Sequence, residues 1–119
     1  MNCAWDMFIN LVPISMRKNL EKYPSNNVQE LRLRAGRNAE LVMLQESVLL
    51  DHVVCKDDLS FCINVASRYS PWSASTDTSG YITSAGGHRL GICGQAVLHQ
   101  GKMKGFRAVT SVCVRVARD

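Results

Sequence analysis

The sequence lacks the features that mark several large classes of protein. Its five cysteines form no CxxC pair, and no apolar run approaches the length of a transmembrane helix, about 20 residues. The longest weakly charged stretch, residues 3–16, contains Asp6 and Pro13 and has neither a basic lead nor a small-residue cleavage site. We therefore expect a chain without a membrane-spanning segment or an export signal.

Cysteine usage is typical of a reducing compartment. The cysteines are odd in number and lie within apolar periodic segments, so we expect reduced thiols that pack as small hydrophobic side chains. Their spacing does not match that of a metal site, and no metal is expected. They are Cys3, Cys55, Cys62, Cys93 and Cys113.

Length and charge limit the architecture and the partners. The 119 residues fit one domain with a single core, and we treat residues 1–119 as one domain. The formal net charge is +4, and six basic residues follow His88 against only Asp119. This basic final third can face a phosphate, solvent or an acidic neighbouring domain.

The first half of the chain predicts two helices around three strands. A helix is predicted around residues 11–23, with Pro13 in its first turn, where a missing N–H costs least. Residues 28–37 alternate apolar and charged side chains, which is typical of a strand, and residues 40–54 predict a β-hairpin. Apolar residues recur at helical spacing from Leu59 to Tyr69, which predicts a helix that opens at Lys56 or Asp57.

The second half predicts a polar connection and then strands. Residues 70–80 are rich in Ser and Thr and predict a surface connection. Beyond Gly80 the pattern indicates a strand, a turn at Gly86 and Gly87, a second strand, a turn at residues 100–101 and a final strand. We predict an α+β fold, a small antiparallel sheet with helices packed on one face.

The stretch SAGGHRLGICGQ, residues 84–95, is glycine-rich but does not match a phosphate-binding loop. The pattern GxxxxGK[ST] needs Lys and Ser or Thr after its second glycine, whereas Gly91 is followed by Ile92 and Cys93. We therefore expect no nucleotide hydrolysis by this chain alone, and no catalytic residue. Gly86 and Gly87 supply positive φ for a two-residue hairpin.

Gly91 and Gly94 have a different predicted role, since they interrupt a strand. A glycine inside a strand indicates a bulge or a close approach of another backbone. The alternation places Leu90 and Ile92 in the core and Arg89 on the opposite face. His88 is expected to be a surface histidine beside the turn.

The sequence pattern leaves two interpretations open for Arg89 and two for the pair Arg32 and Arg34. Arg89 is either a solvated strand residue or a group that meets an anionic ligand across an interface. Arg32 and Arg34 share a strand face with Glu30, which indicates either a local charge ladder or an interdomain contact. An RNA-binding sheet is disfavoured because the final strands offer only Tyr81 and Phe106 as aromatic residues.

Three motifs together resemble a known family. Residues 29–37 read QELRLRAGR, residues 80–94 read GYITSAGGHRLGICG, and residues 111–119 read SVCVRVARD. They resemble the E-[IL]-R-L-R-x-G-R, G-[YF]-I-T-x-x-G-G-H-R-x-G-x-x-G and S-x-x-[IV]-R-[IV]-A-R-[DE] stretches of the stage III sporulation protein AA family. The match covers the amino-terminal region of that family, which precedes a secretion-type ATPase domain.

The resemblance implies a role in a larger motor. It implies that residues 1–119 form a PAS-like α+β accessory module. The ATPase domain of the family would follow residue 119, is absent here and would use ATP and Mg²⁺. The implied partners are the module's own or a neighbouring ATPase domain in a hexameric ring, and the proteins of the sporulation channel between mother cell and forespore. The implied location is the mother-cell cytoplasm, at the membrane through those partners, with nucleic acid not expected.

The resemblance also assigns candidate residues. In related secretion motors the analogous domain offers arginines to bound triphosphate, a role that the always-charged, forked guanidinium suits. The candidates are Arg89 and Arg107, and then Arg115 and Arg118 near the domain junction. The alternative is a stand-alone interaction or ligand-binding module with no motor attached.

Overall fold

A single antiparallel sheet of six strands organises the chain in the computed structural model, in the order β3-β2-β1-β6-β5-β4. The structure describes residues 3–67, 81–99 and 102–117, with side chains at 5–67, 82–84, 86–94 and 109–117. The helices are α1 (Cys3–Leu11), α2 (Arg17–Leu20) and α3 (Lys56–Ser67). The strands are β1 (Val28–Arg34), β2 (Asn38–Met43), β3 (Ser47–Val53), β4 (Tyr81–Thr83), β5 (Arg89–His99) and β6 (Lys102–Arg115).

This architecture confirms the predicted α+β fold. The β2–β3 hairpin, α3 and the three final strands all form where the sequence pattern placed them. The predicted connection at residues 70–80 and the turn at residues 100–101 lie outside the described residues. Within the described part of the chain, no helix is both long and apolar enough to cross a bilayer.

The core lies between one face of the sheet and the helices α1 and α3. Leu31 in the central strand β1 pairs in register with Leu41 on one side and Val114 on the other, and all three are fully buried. Phe8 of α1 and Leu59 of α3 are also buried in this core. Burial of each such side chain contributes about 1.5–3 kcal/mol, so this layer supplies most of the stability.

The predicted first helix is wrong in its bounds. Helix α1 ends at Leu11, and Pro13 instead precedes a 3₁₀ turn at Ile14–Met16 that leads into α2. Proline has no N–H to donate and disfavours helical backbone at the residue before it, so the helix ends before Pro13. Arg17 Nε donates to the Val12 carbonyl at 2.9 Å and occupies an acceptor near the end of α1.

Helix α3 begins at a capped turn. The carboxylate of Asp58, at the third helical position, accepts from the Cys55 backbone N–H at 3.0 Å and lies 2.9 Å from His52 Nε2. Burial alone would raise the pKa of Asp58, but the hydrogen bonds from His52 and Cys55 outweigh it and lower that pKa. The cap therefore holds a charged carboxylate at the positive end of the helix.

The cysteines only partly match the expectation of buried thiols. Cys62 is buried in the core and Cys113 is half-buried, but Cys55 and Cys93 are exposed. Cys93 lies on the strand face away from the core and Cys55 precedes the first residue of α3, so neither has helices over it. Burial raises the pKa of the Cys62 thiol to about 12, which keeps it protonated at neutral pH.

Candidate functional site

The sheet face opposite the helices gathers most of the candidate arginines. Strand alternation turns Leu31, Leu33 and Leu90 toward the core, so their neighbours point away from it. We call the resulting surface the open face. It comprises Glu30, Arg32, Arg34, Glu40, Leu49, Arg89, Gly91, Cys93, Ser111, Cys113 and Arg115.

Arg89 and Arg115 lie directly opposite each other across β5 and β6, and Glu30 is the next residue in the same row. Both arginines are exposed. Directly opposed like charges disfavour strand pairing, and side chains in such pairs have Cβ atoms about 4.5–5.5 Å apart. A pair of like charges in direct opposition breaks a local pairing preference, and such departures are typical of functional positions.

Glu30 is the acidic centre of the open face. Its carboxylate accepts from Arg32 Nε at 2.6 Å and from the Cys113 thiol. Burial alone would raise the pKa of Glu30, but the hydrogen bonds from Cys113 and Arg32 and the nearby charge of Arg115 lower it. Burial, together with the same carboxylate, raises the pKa of Cys113 to about 12, so the thiol remains a donor at neutral pH.

The turn before Arg89 is built on glycine. Gly86 and Gly87 have φ of 83° and 82°, and Gly87 N–H donates to the Ser84 carbonyl at 3.0 Å. The Ser84 N–H donates to the His88 carbonyl at 2.8 Å, so three residues rather than the predicted two separate the paired ends of the hairpin. A Cβ at Gly86 would lie 3.0 Å from His88 Nε2, so both the backbone and the packing require glycine here.

His88 is not the surface residue that was predicted, because its side chain is fully buried. Its ring packs edge-on against Phe8 at 5.7 Å between centroids. The Ala117 N–H donates to His88 Nδ1 at 3.0 Å, so this nitrogen carries no proton. Alternation alone did not indicate this role, since His88 precedes the first strand residue and owes its burial to α1, an element distant in sequence.

His88 ties the turn to the carboxyl-terminal end of the sheet. Ala117 follows β6, and the neighbouring Val116 N–H donates to the Gln29 carbonyl of β1 at 2.9 Å. His88 therefore joins the start of β5 to the chain that leaves β6. This linkage fixes the backbone on both sides of the Arg89–Arg115 pair.

Four of the six arginines predicted as site residues lie on one surface of the sheet. Arg32, Arg34, Arg89 and Arg115 lie together on the open face. Arg107 lies in β6 opposite Gln95 in the backbone register, and its side chain and all of Arg118 lie outside the described part of the chain.

The remaining glycines and aromatic residues are placed more simply. The β5–β6 register shifts between Cys93 and Gln95, the step that contains Gly94, and again between Val97 and Leu98, and both shifts place the additional residues in β6. A Cβ at Gly91 would meet Cys113 at an ordinary 3.9 Å, so no close backbone approach requires glycine there. The side chains of Tyr81 and Phe106, considered for RNA binding, lie outside those that the structure describes.

The ladder interpretation of the β1 arginines holds for one of them. Arg32 pairs with Glu30 at 2.6 Å and with Glu40 at 3.8 Å. Among the described residues, no carboxylate forms an ion pair with Arg34. Arg37, just after β1, was not singled out in the sequence, although its place beside Gly36 in a hairpin turn could have drawn attention to it.

Comparison with known proteins identifies the chain's relatives. A stage III sporulation protein AA from Bacillus subtilis (strain 168) is 30% identical over 113 residues, which cover 92% of this chain and 37% of that protein. The chain thus spans little more than a third of the length of this curated relative. Among solved structures, the ATPase DotB of Legionella pneumophila superposes with a TM-score of 0.48 at 14% identity, over 90% of this chain and 29% of that one.

The family model described as "Sporulation stage III, protein AA" matches residues 5–119, almost the entire chain. The matched region includes the three motifs that carried the resemblance in the sequence. The chain therefore belongs to the stage III sporulation protein AA family.

Proposed function

We propose that this chain is an accessory module of a sporulation ATPase, and that its open face contacts the ATPase domain and supplies arginines to bound nucleotide. The pairing of Arg89 with Arg115 is the observation that carries the proposal. Two exposed arginines lie in register on adjacent strands, and the guanidinium group that each carries is a planar donor fork that suits phosphate oxygens.

The charge balance of the row supports this role. Glu30 is the one acidic neighbour in register with the pair, and its carboxylate already accepts from Arg32 and Cys113. A single engaged carboxylate does not neutralise two guanidiniums. The row of Arg89, Arg115 and Glu30 therefore has a formal charge of +1, which suits an anionic triphosphate.

The backbone linkage through His88 supports the same proposal. An arginine that stabilises transferring phosphate must be held in place before the reaction, because reorganisation during the reaction removes most of the benefit. The buried ring of His88 fixes the residue before Arg89 and, through Ala117, the chain that leaves β6. A neighbouring domain that displaces the chain after β6 would therefore also displace the arginine pair, because His88 and Ala117 connect the two.

The rest of the motor enters as part of the proposal. We propose that the remaining length of the complete protein carries the ATPase domain, which binds ATP and Mg²⁺ and forms a hexameric ring in the mother-cell cytoplasm at the sporulation channel. This chain has no phosphate-loop motif of its own, so its contribution is restricted to contact and charge.

The proposal is tested by ATP turnover of the complete protein. Arg89→Ala and Arg115→Ala should each lower kcat at least about tenfold, because an arginine on a transferring phosphate contributes several kcal/mol to the rate. Lys18→Ala, an exposed charge on α2, is the matched control and should leave turnover unchanged. Arg107→Ala and Arg118→Ala belong in the same assay, since both remain candidates.

Unchanged ATP turnover in these variants would contradict the proposed contact with nucleotide. If Arg89→Ala and Arg115→Ala keep the turnover of the unchanged protein, the arginines do not reach nucleotide. Contact with the ATPase domain would then have to rest on other residues of the open face.

A further inference from the structure

Four backbone hydrogen bonds hold the turn between β1 and β2 in place: one lies within the turn, two join it to Val54 and one joins it to Thr110. Within it, Arg37 N–H donates to the Arg34 carbonyl at 3.0 Å, and Gly36 adopts a φ of 82°. Gly36 N–H donates to the Val54 carbonyl at 2.8 Å, and Val54 N–H returns a bond to Arg37 at 2.8 Å. A further bond joins Ala35 N–H to the carbonyl of Thr110 in β6.

This fixed turn forms one wall of an open cleft. The cleft has a volume of about 340 Å³, which is near the lower end of the range of about 300–1,000 Å³ found for small-molecule sites. Its lining is polar except for Leu49, whose side chain is 70% exposed. The lining residues are Arg32, Arg34, Gly36, Arg37, Asn38, Glu40 and Leu49.

The charges of the cleft are not balanced. Three guanidiniums and one carboxylate line it, which leaves a net formal charge of +2. Glu40 lies 3.8 Å from Arg32, and Arg32 is also held by Glu30. No carboxylate among the described residues forms an ion pair with Arg34 or Arg37, so the uncompensated charge is on these two side chains.

We propose that this cleft binds a phosphate group whose oxygens accept hydrogen bonds from the guanidiniums of Arg34 and Arg37. A phosphate monoester carries about two negative charges at neutral pH and matches the excess charge of the lining, whereas a single carboxylate would leave one guanidinium uncompensated. The rigid turn lowers the ordering cost of binding. A Cβ at Gly36 would have no neighbour within 4 Å, so the turn itself leaves space open in the cleft.

The site is separate from the Arg89–Arg115 pair. Arg34 lies four residues along β1 from Glu30, the β1 member of that row, which at about 3.3 Å per residue is about 13 Å. The phosphate monoester can belong to a soluble compound or to the headgroup of phosphatidic acid, which is itself a phosphate monoester and offers the same oxygens to the two guanidiniums. Leu49 would pack against the carbon skeleton beside that phosphate.

Titration of the chain with pyrophosphate tests the soluble source. Saturable binding is expected by calorimetry, together with amide shifts at residues 34–38, and Arg34→Ala/Arg37→Ala should weaken it at least about tenfold. Lys18→Ala/Lys22→Ala removes the same charge from exposed positions in α2 and in the turn that follows it, and should change affinity less than about twofold. Arg34→Lys/Arg37→Lys keeps the charge without the fork and should bind more weakly than the unchanged chain.

Co-sedimentation with vesicles tests the lipid source. Binding to vesicles that contain phosphatidic acid but not to pure phosphatidylcholine vesicles, lost in Arg34→Ala/Arg37→Ala and kept in the lysine control, assigns the site to a headgroup. Pyrophosphate binding with the same mutational pattern but no vesicle binding assigns it to a soluble phosphate compound.

Two outcomes overturn the proposal. One is the absence of saturable binding to both pyrophosphate and vesicles, and the other is binding that the arginine and lysine variants weaken equally. Arg34 and Arg37 are exposed, so thermal unfolding should show that the double variant keeps its fold. The site does not depend on the ATPase proposal, because turnover and pyrophosphate binding probe different arginines.

Discussion

Arg89 and Arg115 face each other across β5 and β6, with Glu30 beside them as the third residue of one row. These residues come from opposite ends of the chain and meet only because β6 pairs with both β1 and β5. The sheet thus brings residues of all three family motifs into one surface. This arrangement is the observation behind our proposal of a phosphate-directed role for the open face.

Glu30→Gln should destabilise the chain by about 1 kcal/mol, since solvent reaches part of the cluster and screens it. The pKa of Glu30 is lowered in the folded state, so its contribution is present above the usual value of 4.5 and is lost as pH falls through the folded pKa. The variant should therefore lose less stability than the unchanged chain between pH 5 and pH 3. Urea unfolding at several pH values measures this difference. Glu46→Gln, an exposed carboxylate on the β2–β3 connection, is the control, and an equal pH response in both variants would refute the assignment.

Asp58→Asn should cost about 1–2 kcal/mol, because the cap on the Cys55 N–H and the contact with His52 both rely on a charged carboxylate. The lowered pKa of Asp58 means that this stabilisation persists above the usual value of 3.8 and disappears as pH falls through the folded pKa. Asp57→Asn is the matched control, since Asp57 is exposed in the same helical turn. Equal losses in the two variants, measured by chemical denaturation, would mean that only the helix dipole is involved.

Gly36→Ala should destabilise the chain by about 1 kcal/mol through backbone strain alone. A Cβ there meets nothing within 4 Å, so the cost comes from the φ of +82° and not from a clash. Gly91→Ala is the control, because Gly91 has no positive φ and its added Cβ makes ordinary contact with Cys113. Thermal unfolding of both variants separates the two positions, and equal melting temperatures would contradict the strained turn.

His88→Ala should cost about 2–4 kcal/mol, because it opens a cavity beside Phe8 and leaves the Ala117 N–H without its acceptor. His88→Asn should recover part of this loss, since the Asn side-chain oxygen lies near the place of Nδ1. Amide exchange at Ala117 gives a readout that general destabilisation does not, because it should accelerate more in His88→Ala than in His88→Asn. Identical exchange in the two variants would contradict the proposed link between the turn and the end of β6.

The local elements could be predicted from sequence because their signals are local. The alternation in β1, the helical spacing in α3 and the paired glycines before Arg89 each report burial or turn geometry within a few residues. The error in the first helix lies in its start, since the apolar pattern predicts a helix that begins near Leu11, whereas α1 ends at Leu11 and Pro13 separates it from the 3₁₀ turn and α2.

The arrangement of the site could be predicted only in part. Alternation correctly placed Arg89 away from the core, but the pairing of Arg89 with Arg115 depends on the register of strands distant in sequence. The burial of His88 depends on α1, and the cleft at Arg37 depends on a turn held by Val54 and Thr110. Such non-local contacts leave no periodic signal in the sequence.

ATP turnover by the complete protein with Arg89→Lys and Arg115→Lys combined tests the central claim most directly. Lysine keeps both charges but loses the fork, so we predict a fall in kcat of at least about tenfold with the proposed ring still assembled. Size-exclusion chromatography of the same sample checks the assembly. Unchanged turnover in an assembled double variant would contradict the claim that these arginines act on bound nucleotide.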